Sequence, residues 1–144
     1  MRALTKTAIL LSAALLANSV SSLAETTKSH DSPFRVIGKT IYLSGVPGGS
    51  INAPDPKGEV KEALDNLRAE AKLAGGDLSD VMKITVYMVD PESDFAVLDE
   101  LTPTYFQKPY PARSPVGVAS LPGGKRIEID AVMKKQIRNL GHKE

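Results

Sequence analysis

The chain has 144 residues, 42% hydrophobic and 24% charged, with 18 basic and 17 acidic side chains and a formal net charge of +1. That length suits one domain with its own core, and the balanced charge with no clustered basic patch argues against a nucleic-acid partner. There is no cysteine, which excludes disulfides, thiolate nucleophiles, cysteine-ligated zinc and a lipidated N-terminal cysteine.

Residues 1–24 read as a signal peptide. Arg2 and Lys6 supply a positive start, residues 8–17 (AILLSAALLA) an apolar core, and Ser22-Leu23-Ala24 small residues for cleavage after Ala24. The run is shorter than the ~20 apolar residues of a spanning helix. The expected location is therefore periplasmic or secreted, with no stable membrane association once the signal is removed. Without Arg2 and Lys6 the mature chain keeps 16 basic against 17 acidic residues. Residues 25–32 (ETTKSHDS) form a polar, flexible segment, residues 33–138 the folded domain and residues 139–144 a polar tail. His30 and His142 both lie near an end of the chain, so no histidine-based catalytic or metal site is expected.

Residues 34–37 suggest a short strand, Gly38-Lys39 a turn, and residues 40–44 (TIYLS) a stronger strand. Residues 45–56 read as a loop, closing on a type I turn at Asp55-Pro56-Lys57-Gly58. Val60, Ala63, Leu64, Leu67, Ala71 and Ala74 recur at helical spacing, and Gly75-Gly76 stops that helix. Residues 80–89 predict a buried strand with Val81, Ile84, Val86 and Met88 inward. Asp90-Pro91 ends it, and Ser93 is a candidate cap for a second helix whose apolar face is Phe95, Leu98, Leu101 and Tyr105. Pro103 should kink that helix or open a new turn capped by Thr102.

Residues 111–134 hold two apolar runs joined at Leu121-Pro122-Gly123-Gly124, the pattern of a β-hairpin. One face of the first run carries Ser114, Val116 and Val118; the other carries Arg113, Pro115, Gly117 and Ala119. In the second, Ile127, Ile129 and Ala131 oppose Glu128 and Asp130. A lone arginine on a face of small residues suggests an anion pocket, although a solvated edge arginine would give the same pattern. The predicted order is β-β-α-β-α-β-β, an α+β domain with both helices on one face of a mixed sheet. The face carrying Arg113 and Pro115 is expected to meet solvent or another subunit, which would favour a closed oligomer.

Several of these stretches resemble the Rid/YjgF family, the reactive-intermediate deaminases. The resemblance runs through Ile41-Tyr42-Leu43-Ser44-Gly45, Leu64-Asp65-Asn66-Leu67, residues 80–88, Asp94-Phe95, Pro111-Ala112-Arg113-Ser114, Leu121-Pro122 and Ile127-Glu128-Ile129. It covers residues 33–134 in the family's order. It implies a chorismate-mutase-like fold, a homotrimer with clefts between subunits, and hydrolysis of 2-imino acids to 2-keto acids and ammonia without metal or cofactor. The implied site has Arg113 pairing with the substrate carboxylate, Glu128 handling the attacking water and Ser44 lining the cleft. If the hairpin turned at Gly123-Gly124, Arg113 and Glu128 would stand roughly 20 Å apart along the strands at ~3.3 Å per residue. One site would then need Arg113 from one chain and Glu128 from the next.

The sequence also departs from the family pattern. Asp99 stands where asparagine is usual and brings a carboxylate that would offset Arg113. Pro115 replaces a common cysteine, removing a thiol and a backbone N–H. Phe34, in Ser32-Pro33-Phe34, replaces the tyrosine of Gly-Pro-Tyr, Val46 replaces a glutamine, and residues 45–61 are shortened. These changes mark a divergent member. They leave two alternatives to catalysis: a trimeric binder of small carboxylates without turnover, and an interaction protein with a vestigial cleft.

Overall fold

A computed structural model of the protein describes residues 31–49 and 55–136. The expected signal peptide, most of segment 25–32 and the tail 139–144 lie outside the described residues. The elements are β1 (Phe34–Ile37), β2 (Thr40–Gly48), α1 (Pro56–Leu73), β3 (Val81–Met88), α2 (Pro91–Tyr105), β4 (Ala112–Gly117) and β5 (Ile127–Lys134). Their order is the predicted one, and the strands form one mixed sheet in the sequence β1-β2-β5-β3-β4.

β1 and β2 form a tight hairpin in which Ile37 pairs with Thr40. Gly38 turns it at φ 60°, a backbone that glycine adopts without strain. β2 extends to Gly48, past the expected loop boundary, because Val46, Pro47 and Gly48 stay in register with Ile129, Glu128 and Ile127.

The expected hairpin of the last two strands does not form. β3 lies between them, pairing parallel with β4 and antiparallel with β5. Pro115 suits an edge strand, since it has no N–H to give a second neighbour. β5 buries Ile127, Ile129, Ala131 and Met133, and such a strand gains most from a central position. Leu121-Pro122-Gly123-Gly124 therefore opens a wide turn, with a short 3-10 helix at Pro122–Gly124.

α1 packs on β2 and β5, and α2 packs on α1 and β4. Val60, Ala63, Leu64, Leu67 and Ala71 of α1 are fully buried against Ile41, Ile127, Ile129 and Met133. Truncating a leucine there to alanine should cost about 2–5 kcal/mol. The two helices are also tied by Tyr105, whose hydroxyl donates to Asp65 Oδ1 at 2.7 Å while Arg68 covers its ring at 4.6 Å.

The helix starts lie earlier than expected. Asp55 caps α1 by accepting from the Lys57 N–H at 3.0 Å, with Pro56 in the first turn, so the anticipated type I turn is a helix entry. The two share an Asp-Pro signature. Asp90, not Ser93, caps α2 in the same way. That helix runs through Pro103 to Tyr105 without restarting, and Thr102 back-bonds to the Leu98 carbonyl at 2.6 Å. Leu98 is buried, whereas Phe95 is 37% exposed rather than part of the core face.

Candidate active site

Arg113 pairs in register with Ile84, which pairs with Ala131. Ile84 and Ala131 are buried beneath the helices, so Arg113 faces the helix-covered side and not the open side expected for it. The face alternation along β4 holds; the assignment of which face is covered is reversed. At the sheet edge Arg113 reaches α2. Its Nη2 donates to Asp99 Oδ1 at 2.5 Å, its Nη1 donates to the Thr102 hydroxyl at 3.3 Å, and its guanidinium stacks 5.0 Å from the Phe95 ring centre. Ile84, Asp99, Thr102, Pro103, Tyr110, Pro111 and Arg113 line a cleft of about 280 Å³ here.

Glu128 occupies the other face. It pairs with Pro47 and Tyr87, out of phase with its buried neighbours Ile127 and Ile129. Its carboxyl lies so close over Gly45 that a Cβ there would stand 2.0 Å from Oε1. Together with Asp31, Ser32, Pro33, Ser44 and Gly45 it lines a cleft of about 500 Å³. Ser44 donates to the Ser32 carbonyl at 2.8 Å and so holds the cleft wall in place. Desolvation, followed by the nearby Asp130 carboxylate, raises the Glu128 pKa above the ordinary glutamate value. Asp130 itself accepts from the Tyr87 hydroxyl at 3.1 Å. The Glu128 carboxyl makes no hydrogen bond or ion pair among the described residues.

The structure thus brings Ser44 to Glu128 and Asp99 to Arg113, but keeps the two pairs apart. Between Arg113 and Glu128 lie two strand spacings across the sheet and three residues along it. That is about 14 Å between backbones, with side chains on opposite faces. The hairpin geometry expected from sequence is replaced, yet the separation persists for a different reason. Pro115 lies one step further along β4 in an apolar groove with Met88, Phe95 and Val116. Phe34 packs against the core, and its neighbours Ser32 and Pro33 are the ones that line the Glu128 cleft.

A second charged cluster had no signal in the sequence. Arg126, immediately before β5, is buried and donates from Nε to Asp94 Oδ1 at 2.6 Å. Its Nη2 reaches the Ser93 hydroxyl at 2.6 Å and Asp90 Oδ2 at 3.2 Å, and Glu59 Oε2 lies 3.3 Å from Nε. Asp94 and Glu59 are also buried, and burial first, with Asp94 adding repulsion, pushes the Glu59 pKa up despite Arg126. This cluster ties the starts of both helices to the start of β5, two residues before Glu128. Acidic first turns are ordinary in helices, and the alternation of β5 would place Arg126 beside Glu128 on the open face.

Among the described residues no group of three or more His, Asp or Glu side chains is placed to hold a metal ion. No described helix is long and apolar enough to cross a membrane.

Residues 25–134 match the family described as Endoribonuclease L-PSP. The chain is 40% identical over 107 residues to the 2-iminobutanoate/2-iminopropanoate deaminase of Mus musculus, covering 67% of this chain and 74% of that protein. The deaminase of the same description from Dermatophagoides farinae is 33% identical over 102 residues, covering 67% and 79%. The crystal structure of RidA from the Antarctic bacterium Psychrobacter superposes with a TM-score of 0.67 at 35% identity, covering 74% of this chain and 89% of that one. With a family match across most of its length and this fold, the chain belongs to the RidA/YjgF family, whose matching description is Endoribonuclease L-PSP.

Proposed function

We propose that the protein hydrolyses small 2-imino acids to 2-keto acids and ammonia, in clefts between the subunits of a homotrimer. The observation that carries this reading is Glu128: a half-buried carboxylate of raised pKa beside Ser44, with no side-chain partner among the described residues, in a chain related to imine deaminases. A base whose pKa is drawn toward the working pH exchanges protons efficiently. In the proposed reaction Glu128 takes a proton from water as its oxygen bonds to C2 of the imine. The proton passes to nitrogen, giving a carbinolamine; its hydroxyl then gives up its own proton to nitrogen as the C–N bond breaks, so ammonia leaves as the keto group forms. Arg113 holds the substrate carboxylate, and Ser44 orients the ligand. The reaction consumes one water, and no residue's role calls for a cofactor.

The opposite placement of Arg113 and Glu128 supports the trimer. A neighbour's β4 edge and Arg113 would have to approach the open face near Glu128, where Tyr42 and Val116 leave apolar surface exposed. A monomer in solution would defeat this arrangement. Asp99, Pro115 and Phe34 support a divergent member, and residues 1–24 a secreted one, acting on imines released by an exported oxidase, racemase or dehydrogenase. A nuclease role has less support, since the mature chain has no basic excess to neutralise phosphates.

One observation favours a second reading, a carboxylate binder without turnover: Asp99 already occupies one edge of the Arg113 guanidinium. The deciding experiment generates 2-iminopropanoate and 2-iminobutanoate with an amino-acid oxidase and traps them with semicarbazide. The wild type should outcompete the trap, and Arg113→Ala and Glu128→Gln should not. A 1:1 mixture of the two variants, unfolded and refolded together, should recover activity at about a quarter of its sites if each is built from two chains. A wild type as inert as the variants ends the catalytic reading, and thermal shifts with small keto acids then test the binder.

A further inference from the structure

The Arg113 cleft differs from a simple anion clamp because it holds a carboxylate of its own. Asp99 Oδ1 lies 2.5 Å from Arg113 Nη2, and both side chains line the same cleft of about 280 Å³. Their exposures differ: 23% for Arg113 and 53% for Asp99. The positive charge is therefore the deeper of the two, and the negative charge stands at the mouth. Asp99 Oδ2 makes no hydrogen bond among the described residues. Thr102 occupies Nη1, Phe95 covers the guanidinium face, and the other lining residues, Ile84, Pro103, Tyr110 and Pro111, carry no charge.

We propose, building on the imine-hydrolase reading, that Asp99 makes this cleft a charge filter. It selects imino acids whose side chain ends in a cation and turns away those ending in a second carboxylate. The substrate's own carboxylate takes the donors of Arg113 that Asp99 and Thr102 leave over, since a guanidinium offers five N–H groups. A flexible side chain with a terminal guanidinium or ammonium can then fold back to the exposed Asp99 oxygen, so each charge of the ligand meets its opposite. An aliphatic side chain gains nothing from Asp99. A dicarboxylate sets like charges against each other within a few ångströms, at a surface where screening is incomplete. Asp99 would thus be a specificity residue, acting on the distal end of the substrate and not on the reacting carbon.

The test compares wild type with Asp99→Asn, which keeps the shape and the oxygen that accepts from Arg113 but removes the charge. Imines are made by amino-acid oxidases from arginine, leucine and glutamate, and hydrolysis is read against semicarbazide trapping. Arginine serves because its guanidinium stays protonated at any usable pH. The wild type should rank kcat/KM in the order arginine-, leucine-, then glutamate-derived. In Asp99→Asn the arginine-to-glutamate ratio should fall by about tenfold or more, chiefly through KM, as removal of one partly screened neighbouring charge predicts. If Asp99→Asn changes all three substrates alike, or the wild type shows no such ranking while still hydrolysing imines, the charge filter is overturned and the hydrolase reading stands. If neither protein hydrolyses any of the three, both fall together.

Discussion

Arg126 and Arg113 flank the same turn, and both meet aspartates of α2, yet they lie in opposite physical settings. Arg126 is enclosed, with Asp94 and Glu59 buried against it and Asp90 and Ser93 completing its contacts. Arg113 lies at a sheet edge with one carboxylate, Asp99, among the described residues and an open cleft beside it. A buried ion cluster exchanges hydration for fixed partners, so its strength shows when one member is removed. An edge pair keeps part of its hydration and holds little stability, which leaves the guanidinium able to accept a ligand. The same residue type is a structural tie in one place and a candidate binding group in the other, because burial and the number of counter-charges differ.

Breaking the buried side of this comparison should give the largest effect. Arg126→Met leaves Glu59 and Asp94 without their cation and should lower stability by about 3–5 kcal/mol in urea unfolding. Glu59 sets the direction of the pH dependence. Its folded pKa lies above the unfolded value near 4.5, so its contribution is fully present below that value and is lost as pH rises through the folded pKa. Acidification toward that range should therefore restore part of what Arg126→Met loses; a variant as stable as wild type at neutral pH would show that the cluster ties nothing together.

The edge arginine should behave in the reverse way. Arg113→Ala is expected to reduce kcat/KM in the proposed reaction by about 10²- to 10³-fold, the range for losing a charge-assisted anion contact. Its unfolding free energy should change by no more than about 1 kcal/mol. A large loss of stability with little loss of activity would place Arg113 with Arg126 as a structural residue.

Gly45→Ala sharpens the comparison at the opposite cleft. A Cβ at Gly45 would meet Glu128 Oε1 at 2.0 Å. The far end of a flexible side chain can swing away, so stability should barely change. The displaced carboxylate should lower kcat in imine hydrolysis by about tenfold, the scale expected when a general base is misplaced. An unchanged kcat would show that the position of Glu128 does not matter to turnover.

The smallest effect concerns Glu128 and stability. Its pKa is raised in the folded state, chiefly by desolvation, so ionisation opposes folding as pH climbs through that value. Glu128→Gln should raise the melting temperature modestly at neutral pH, and the gain should vanish below the ordinary glutamate pKa. Such a gain is the signature of a group kept at a cost to the fold. No gain would mean that the carboxylate is better solvated than its surroundings suggest.

Much of the architecture was legible in the residues because it is local. The helical spacing of Val60, Ala63, Leu64, Leu67 and Ala71 and the period-two pattern of residues 127–131 require no partner to be recognised. Helix entries are ambiguous where one dipeptide serves two uses, as at Asp55-Pro56. The strand partners escape the sequence for a deeper reason. Alternation says which side chains share a face, but it does not say which strand lies alongside or which face a helix will cover.

The sequence by itself therefore determined the order of the elements and the apolar faces that build the core, marked Arg113 by its pattern, and through its family resemblance nominated Glu128, Ser44 and Asp99. Tertiary structure alone decided that β3 separates β4 from β5, that Arg113 and Glu128 face opposite sides of the sheet, and that Arg126 gathers the charges of two helix starts. Those outcomes depend on contacts between residues far apart in the chain. Asp99 and Arg113 are 14 residues apart in sequence, and Asp94 and Arg126 are 32 apart. No local pattern carries a charge pairing whose strength depends on burial and distance, and both are set only when the sheet closes against its helices.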